Sequence, residues 1–255
     1  MPTLAVPDAL LNYRDDGAGP AVVLVHGWAL DASMWEPQVP ALRASHRVVR
    51  HDRRGFGAST GTPDGERDTA DLLALFDGLG IADATLVGMS QGARVAMSFA
   101  ARHPRRVTRL VVDGAPPDTP ELPLAQLRDT LDRRGIEAVR TQLLAQPLMR
   151  LQRNDADTQR RLRAMIDAYR GTDLQAADPA ARRTVAGPAP ALQCPVLILT
   201  GEFDTAARLE QAERLNQAIV GSTRRVIPGA GHLAAMDNPA AYTAALLEFI
   251  GSTAR

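Results

Sequence analysis

The segment ATLVGMSQGARVA, residues 84–96, contains the pattern that decides the fold. A short apolar run ends at Gly88, Ser90 follows, and Gly92 opens a stretch with helical character. Glycines two positions either side of the serine permit a tight turn, which would hold the Ser90 hydroxyl over the edge of a sheet at the start of a helix. The helix N-terminus favours negative charge that develops there. The segment therefore predicts a strand, a sharp turn and a helix, with Ser90 as a nucleophile.

Similar apolar runs recur along the chain, and each ends at glycine, aspartate or histidine. Continuous runs of this kind are typical of strands covered on both faces, as in a mostly parallel sheet. Helical patterns lie between them, at residues 68–79 and 91–102. This alternation predicts a doubly wound α/β fold whose functional residues follow the carboxyl ends of the strands. The predicted strands are residues 22–25, 48–49, 85–87, 110–112, 196–199 and 225–227.

The strand pattern gives way to leucine-rich and arginine-rich helical stretches between residues 119 and 190. We interpret residues 119–190 as a small helical cap inserted between two strands of the sheet. Residues 1–118 and 191–255 then form the catalytic domain. Because the insertion enters and leaves at strand ends, we expect the cap to lie over the site.

A serine hydroxyl needs a base within hydrogen-bonding reach, usually an imidazole that a carboxylate orients. In a fold of this type the nucleophile, the acid and the base follow one another in that order along the chain. His232 is the histidine that follows the serine in a suitable loop, after the last predicted strand, and we expect it to be the base. His103 precedes a proline at a predicted helix end, where a surface position is expected. His26, His46 and His51 all precede the serine.

The orienting carboxylate should follow the predicted strand 196–199, where the turn TGEFD, residues 200–204, offers two candidates. Asp204 is favoured over Glu202 because it comes last in the loop, where the chain has turned toward the site. Asp113, at the end of the preceding strand, stays open as an alternative acid.

Acyl transfer also needs two backbone N–H donors for the oxyanion. One should come from Gln91, directly after the nucleophile, and the other from Trp28, in the loop after an early strand. The cap and the catalytic loops should supply the walls of the substrate pocket. The residues expected to bind substrate are Trp28, Met89, Leu148, Met149, Tyr169 and Leu233.

The composition excludes several other classes of chemistry. All 29 basic residues are arginine, so Schiff-base lysines, Ser-Lys dyads and lysine-dependent phosphate loops are excluded. The single cysteine and the absence of metal-ligand spacing argue against a disulfide or a metal site. The formal net charge of zero makes nucleic acid a poor partner. No apolar run approaches the roughly twenty residues of a membrane span, and we expect a cytoplasmic protein, monomeric or homodimeric, without a cofactor.

Five short motifs follow one another along the chain: HGW (26–28), DRRGFGAS (52–59), GMSQG (88–92), GEFD (201–204) and GH (231–232). Their order resembles the α/β-hydrolase superfamily, over about residues 10–250 excluding the cap. Within it, the short helical cap and its stretch 162–169, followed by Asp173 and Leu174, are similar to the 3-oxoadipate enol-lactonase group and related small esterases.

The resemblance implies a serine hydrolase that cleaves a small carboxylic ester or lactone through an acyl-enzyme. Ser90, Asp204 and His232 would be its triad. The same triad can also support carbon–carbon bond hydrolysis or cofactor-free perhydrolysis, and a ligand receptor can retain it. These alternatives stay open at the level of the sequence.

Overall fold

Eight strands form one sheet within the part of the chain that the computed structural model describes, residues 2–117, 123–153, 155–175 and 192–251. The strands are β1 (Thr3–Val6), β2 (Ala9–Asp16), β3 (Ala21–Val25), β4 (Arg47–His51), β5 (Ala84–Met89), β6 (Val107–Asp113), β7 (Val196–Gly201) and β8 (Thr223–Ile227). Their order across the sheet is β1-β2-β4-β3-β5-β6-β7-β8. β1 and β2 pair antiparallel, β2 runs antiparallel to β4, and the remaining pairs are parallel.

Helices connect the parallel strands, and the predicted doubly wound α/β architecture is confirmed. The second helix begins three residues before its predicted start, because the Asp64 side chain accepts hydrogen bonds from the backbone of Glu66 and Arg67 and caps it there. The helices are α1 (Val39–Leu42), α2 (Gly65–Gly78), α3 (Gln91–Arg102), α4 (Leu124–Arg134), α5 (Ile136–Leu144), α6 (Ala156–Ala168), α7 (Ala206–Ala218), α8 (Ala234–Asp237) and α9 (Pro239–Gly251). Short 3₁₀ turns occur at Ala32–Trp35, Pro104–Arg106 and Pro147–Met149.

The two faces of the sheet are covered by separate apolar clusters. Successive strand side chains point to opposite faces, so Val22 and Leu24 of β3 join one cluster while Val23 and Val25 join the other. Every residue of β5, the strand that leads to Ser90, is buried. This double burial explains why the central strands read as continuous apolar runs in the sequence.

The two N-terminal strands are a feature that the sequence did not predict. β2 has the sequence ALLNYRDD, in which the second half is polar and partly exposed. β1 lies at the edge of the sheet and alternates between exposed and half-buried residues. Since these strands are not covered on both faces, they lack the apolar runs by which the others were recognised.

Helices α4, α5 and α6 lie in the predicted cap and pack on the cluster that also contains Trp28 and Trp35. Residues 118–122 and 176–191, where the predicted insertion begins and ends, lie outside the described residues, and the domain boundaries stay a prediction. No helix in the described ranges combines the length and apolarity that crossing a membrane requires. The cap residues in the shared cluster are Leu127, Val139, Leu143, Leu162, Met165 and Ile166, among others.

Candidate active site

Ser90 occupies a strained turn between β5 and α3. Its backbone has φ 54° and ψ −117°, a conformation that residues other than glycine rarely adopt. The flanking glycines are required by close packing, since a Cβ on Gly88 would lie 2.3 Å from the Gly92 carbonyl oxygen. A Cβ on Gly92 would lie 2.4 Å from the carbonyl oxygen of Val25. The turn therefore holds Ser90 at the carboxyl end of the sheet and directly before a helix, as the sequence predicted.

His232 lies in the loop between β8 and α8, and its imidazole contacts Asp204. The distance from His232 Nδ1 to Asp204 Oδ2 is 3.0 Å. An ionised carboxylate can only accept a hydrogen bond, so Nδ1 carries a proton, and in the neutral tautomer of the ring Nε2 then holds the lone pair. Burial acts to raise the pKa of Asp204, but His232, the Thr205 N–H and the Arg208 charge outweigh it and hold that pKa below its ordinary value. The pair thus leaves His232 Nε2 as a proton acceptor.

The three carboxyl groups that the sequence left as candidate partners of His232 have different surroundings in the structure. Glu202 is not beside the imidazole and instead accepts a hydrogen bond of 2.7 Å from the backbone N–H of Gly229. Asp113 is fully buried at the end of β6, and burial together with the nearby Asp204 charge raises its pKa well above the ordinary value. A group that resists ionisation in this way is poorly suited to stabilise an imidazolium. The geometry therefore favours Asp204.

The loop after β3 brings the backbone of Gly27 and Trp28 beside Ser90. A Cβ on Gly27 would lie 3.4 Å from Ser90 Cβ, which shows how closely the two segments approach. His26 braces this loop, because its Nε2 accepts from the Arg53 N–H at 2.8 Å and its Nδ1 donates to the Gly27 carbonyl at 2.7 Å. Burial and the Arg53 charge lower the pKa of His26 well below its usual value and keep the ring neutral.

Gln91, the second predicted oxyanion donor, is the first residue of α3. Its side chain binds a structural partner, since its Oε1 accepts a hydrogen bond of 2.9 Å from Arg53 Nη1. The same Arg53 forms a buried ion pair with Asp68. Arg53 thus contacts both segments that carry the predicted oxyanion donors, through the Gln91 side chain and through His26 of the Trp28 loop.

A cavity that opens to solvent joins these groups, and together with the solvent space at its mouth it spans about 360 Å³. Ser90 and His232 both line it. Of the six residues expected to bind substrate, five line this cavity and Tyr169 does not. The lining is mainly apolar, and consists of Gly27, Trp28, Leu30, Met89, Ser90, Leu143, Gln146, Leu148, Met149, Arg208, His232 and Leu233.

Tyr169 supports the wall of the cavity from behind. Its ring packs edge-on against Trp28, with centroids 5.7 Å apart, and stacks on Phe56 at 6.3 Å. The Tyr169 hydroxyl and the Trp28 indole N–H both donate to the carboxylate of Asp173, each at 2.6 Å. This end of the cap is therefore fastened to the loop that carries the predicted oxyanion donor.

Arg208 and Asp237 are residues of this region that the sequence reasoning missed. Arg208 lies in the first turn of α7, and its Nη1 donates to Ser90 Oγ at 3.2 Å. Asp237 accepts hydrogen bonds from the backbone of Gly231, Gln152 and Arg153, and so ties the His232 loop to the cap. Each lies within five residues of Asp204 or His232, and this closeness in sequence could have indicated a place near the site. Charged residues on helices are usually solvated, however, so the sequence did not predict their burial.

Comparison with known sequences places the chain among proteins of the same architecture. The model of the α/β hydrolase fold family matches residues 20–239. A relative from Caulobacter sp. (strain K31), described as a putative carbamate hydrolase RutD, is 29% identical, and the match covers 95% of this chain and 96% of the relative.

Two solved structures of similar size superpose on nearly the whole chain. An esterase from Thermogutta terrifontis, solved with malate bound, is 33% identical with a TM-score of 0.82, covering 97% of this chain and 96% of that one. An enol-lactonase from Burkholderia xenovorans LB400 is 29% identical with a TM-score of 0.83, covering 98% of this chain and 100% of that one. The chain belongs to the α/β-hydrolase superfamily and is close to its esterase and lactonase members.

Proposed function

We propose that the protein is a serine hydrolase that cleaves a small carboxylic ester or lactone through an acyl-enzyme on Ser90. The observation that carries the proposal is one cavity lined by Ser90 and by His232, whose Nδ1 is held 3.0 Å from Asp204 Oδ2. This arrangement supplies a nucleophile, an imidazole that can act as the base, and a carboxylate that fixes its tautomer.

In the acylation step, Ser90 Oγ attacks the carbonyl carbon while His232 Nε2 takes the hydroxyl proton. Asp204 stabilises the imidazolium that forms. The negative charge moves to the carbonyl oxygen, where the backbone N–H groups of Trp28 and Gln91 would donate to it. His232 then gives its proton to the departing alcohol, and the C–O bond to that alcohol breaks.

In the deacylation step, a water molecule attacks the acyl carbon and His232 takes one of its protons. The second tetrahedral intermediate collapses when the bond to Ser90 Oγ breaks and His232 returns a proton to that oxygen. The products are a carboxylic acid and the free enzyme. In a lactone both products are parts of one molecule, so the same steps open the ring.

The apolar lining of the cavity supports a substrate with an apolar acyl group. Leucine, methionine and tryptophan side chains form most of its lining. The similarity to an esterase and to an enol-lactonase over nearly the full chain supports ester or lactone bonds in particular. The proposed partner is therefore a small-molecule ester or lactone.

A panel of p-nitrophenyl esters and simple lactones tests the proposal, with Ser90→Ala as the inactive variant. Removal of a triad member should lower kcat/KM by roughly 10³- to 10⁶-fold. Ser98→Ala, on the same helix α3, is the matched control and should retain full activity. Hydrolysis that survives Ser90→Ala would contradict the proposal. So would saturable ligand binding without turnover, or cleavage confined to carbon–carbon bonds.

A further inference from the structure

Arg208 places a buried positive charge in an otherwise mainly apolar cavity. The residue is 3% exposed, and it lines the cavity together with Ser90 and His232. Nη1 donates to Ser90 Oγ at 3.2 Å and also to the carbonyl oxygen of Gly114. A guanidinium is always charged and has no acceptor, so the direction of the contact with the serine is fixed.

This contact leaves the serine hydroxyl able to act as a nucleophile. A hydroxyl has one proton to donate and two lone pairs that accept. Because Arg208 occupies a lone pair of Ser90 Oγ, the hydroxyl proton is available for another acceptor, and His232 lines the same cavity. Arg208 and a base that takes the hydroxyl proton therefore do not compete for the same site on the oxygen.

The energy of the contact changes with the charge on Ser90 Oγ, since hydrogen bonds from a cation strengthen as the acceptor becomes negative. During attack on the substrate, Oγ gives an electron pair to the acyl carbon and the bond from Arg208 weakens. During collapse of the second tetrahedral intermediate, Oγ takes that pair back and the bond strengthens. The same donor thus opposes formation of the acyl-enzyme slightly and favours its breakdown.

We propose that Arg208 is a catalytic residue of deacylation, which stabilises Ser90 Oγ as it leaves the acyl carbon. The inference rests on the proposed acyl-enzyme chemistry. In this step the acyl C–Oγ bond breaks, its electron pair passes to Oγ, and the proton on His232 Nε2 moves to Oγ. The acyl carbon is released as a carboxylic acid, and the Arg208 guanidinium keeps all its protons.

A purely structural role for Arg208 would give a different kinetic result. Its second contact, with the Gly114 carbonyl, holds a backbone segment beside the base, since a Cβ on Gly114 would lie 2.9 Å from His232 Cε1. His232 acts in both half-reactions. If Arg208 only supported this segment, its removal would slow acylation and deacylation together.

Stopped-flow hydrolysis of p-nitrophenyl acetate separates the two half-reactions in wild type, Arg208→Met and Arg208→Lys. The burst of p-nitrophenol reports acylation, and the steady state reports deacylation, because this leaving group makes acylation fast. In Arg208→Met we expect steady-state turnover to fall about 10- to 100-fold while the burst rate is unchanged or higher. Acetylated protein should accumulate and be visible by intact mass. Arg208→Lys, which keeps a cationic donor, should recover part of the loss.

Arg214→Met is the matched control, because Arg214 lies on the same helix but is exposed, and it should behave as wild type. Equal losses in the burst and the steady state, or no loss in either, would overturn the role of Arg208. If Arg208→Met does not fold, Arg208→Lys decides, and a wild-type or equally slowed profile would count against the role. Absence of any wild-type burst or turnover with this ester would instead overturn the proposed function, and the inference with it.

Discussion

Shortening Leu148 to alanine should shift substrate preference toward longer acyl chains. Leu148 lines the cavity from the cap side and is mostly buried there. The substitution removes about three methylene equivalents, each worth ~0.8 kcal/mol of apolar contact, or about 2.4 kcal/mol in all. A longer acyl chain that fills the vacated space would regain most of this in the transition state. At 1.4 kcal/mol per tenfold change, the hexanoate-to-acetate ratio of kcat/KM should rise by roughly 10- to 50-fold.

The assay compares p-nitrophenyl acetate, butyrate and hexanoate in wild type, Leu148→Ala and a matched control, Leu162→Ala. Leu162 is equally buried in α6 and belongs to the apolar cluster, but it does not line the cavity. Its truncation should lower the free energy of unfolding by about 2–5 kcal/mol and leave the substrate ratio unchanged. An unchanged ratio in Leu148→Ala, or an equal shift in both variants, would refute the reasoning that the cap wall sets acyl length.

Three further predictions concern the acid of the triad, the support of Trp28 and a buried histidine. Asp204→Asn should lower kcat about 10⁴-fold because His232 loses the acceptor that fixes its tautomer, whereas steady-state assays of Asp113→Asn should show most activity retained. Asp173→Ala removes the acceptor of the Trp28 indole, and should lower the free energy of unfolding by about 1–3 kcal/mol in denaturant titrations and raise KM. Burial and the Arg53 charge lower the pKa of His51 to about 3, so only the unfolded chain gains this proton as pH falls below about 6.5. Chemical denaturation at several pH values should therefore show that the free energy of unfolding of wild type falls toward acid relative to that of His51→Leu. The slope should steepen below pH 6.5 and approach about 1.4 kcal/mol per pH unit near pH 4.5.

The parts of the structure that the sequence predicted are those set by short local patterns. The elbow at Ser90 depends on glycines whose spacing is visible in the sequence, because only glycine fits the close approach to β3. The central strands were visible because burial on both faces makes them continuously apolar. Asp204 could be ranked above Glu202 because the carboxyl end of β7 places the end of that loop nearest the site.

The parts that the sequence did not predict depend on the packing of distant segments. Tyr169 continues the helical spacing of the apolar cap residues, which predicted a position in the wall of the pocket. The hydrogen bond of its hydroxyl to Asp173 and its stacking on Phe56 instead place it behind Trp28. Arg208 lies on a helix whose other arginine, Arg214, is exposed. Its burial follows from the packing of α7 against β7, the neighbour of β6 in the sheet, and the Gly114 carbonyl that follows β6 lies within its reach.

The central claim is that Ser90 is the nucleophile of an acyl-enzyme mechanism, and covalent labelling tests it most directly. Wild type is treated with a fluorophosphonate, and the product is analysed by intact mass and peptide mapping beside Ser90→Ala. We expect one adduct per chain, located on Ser90, with slower labelling in His232→Ala because the base is missing. An adduct on another residue, an adduct that persists in Ser90→Ala, or no adduct on the folded wild-type protein would contradict the claim.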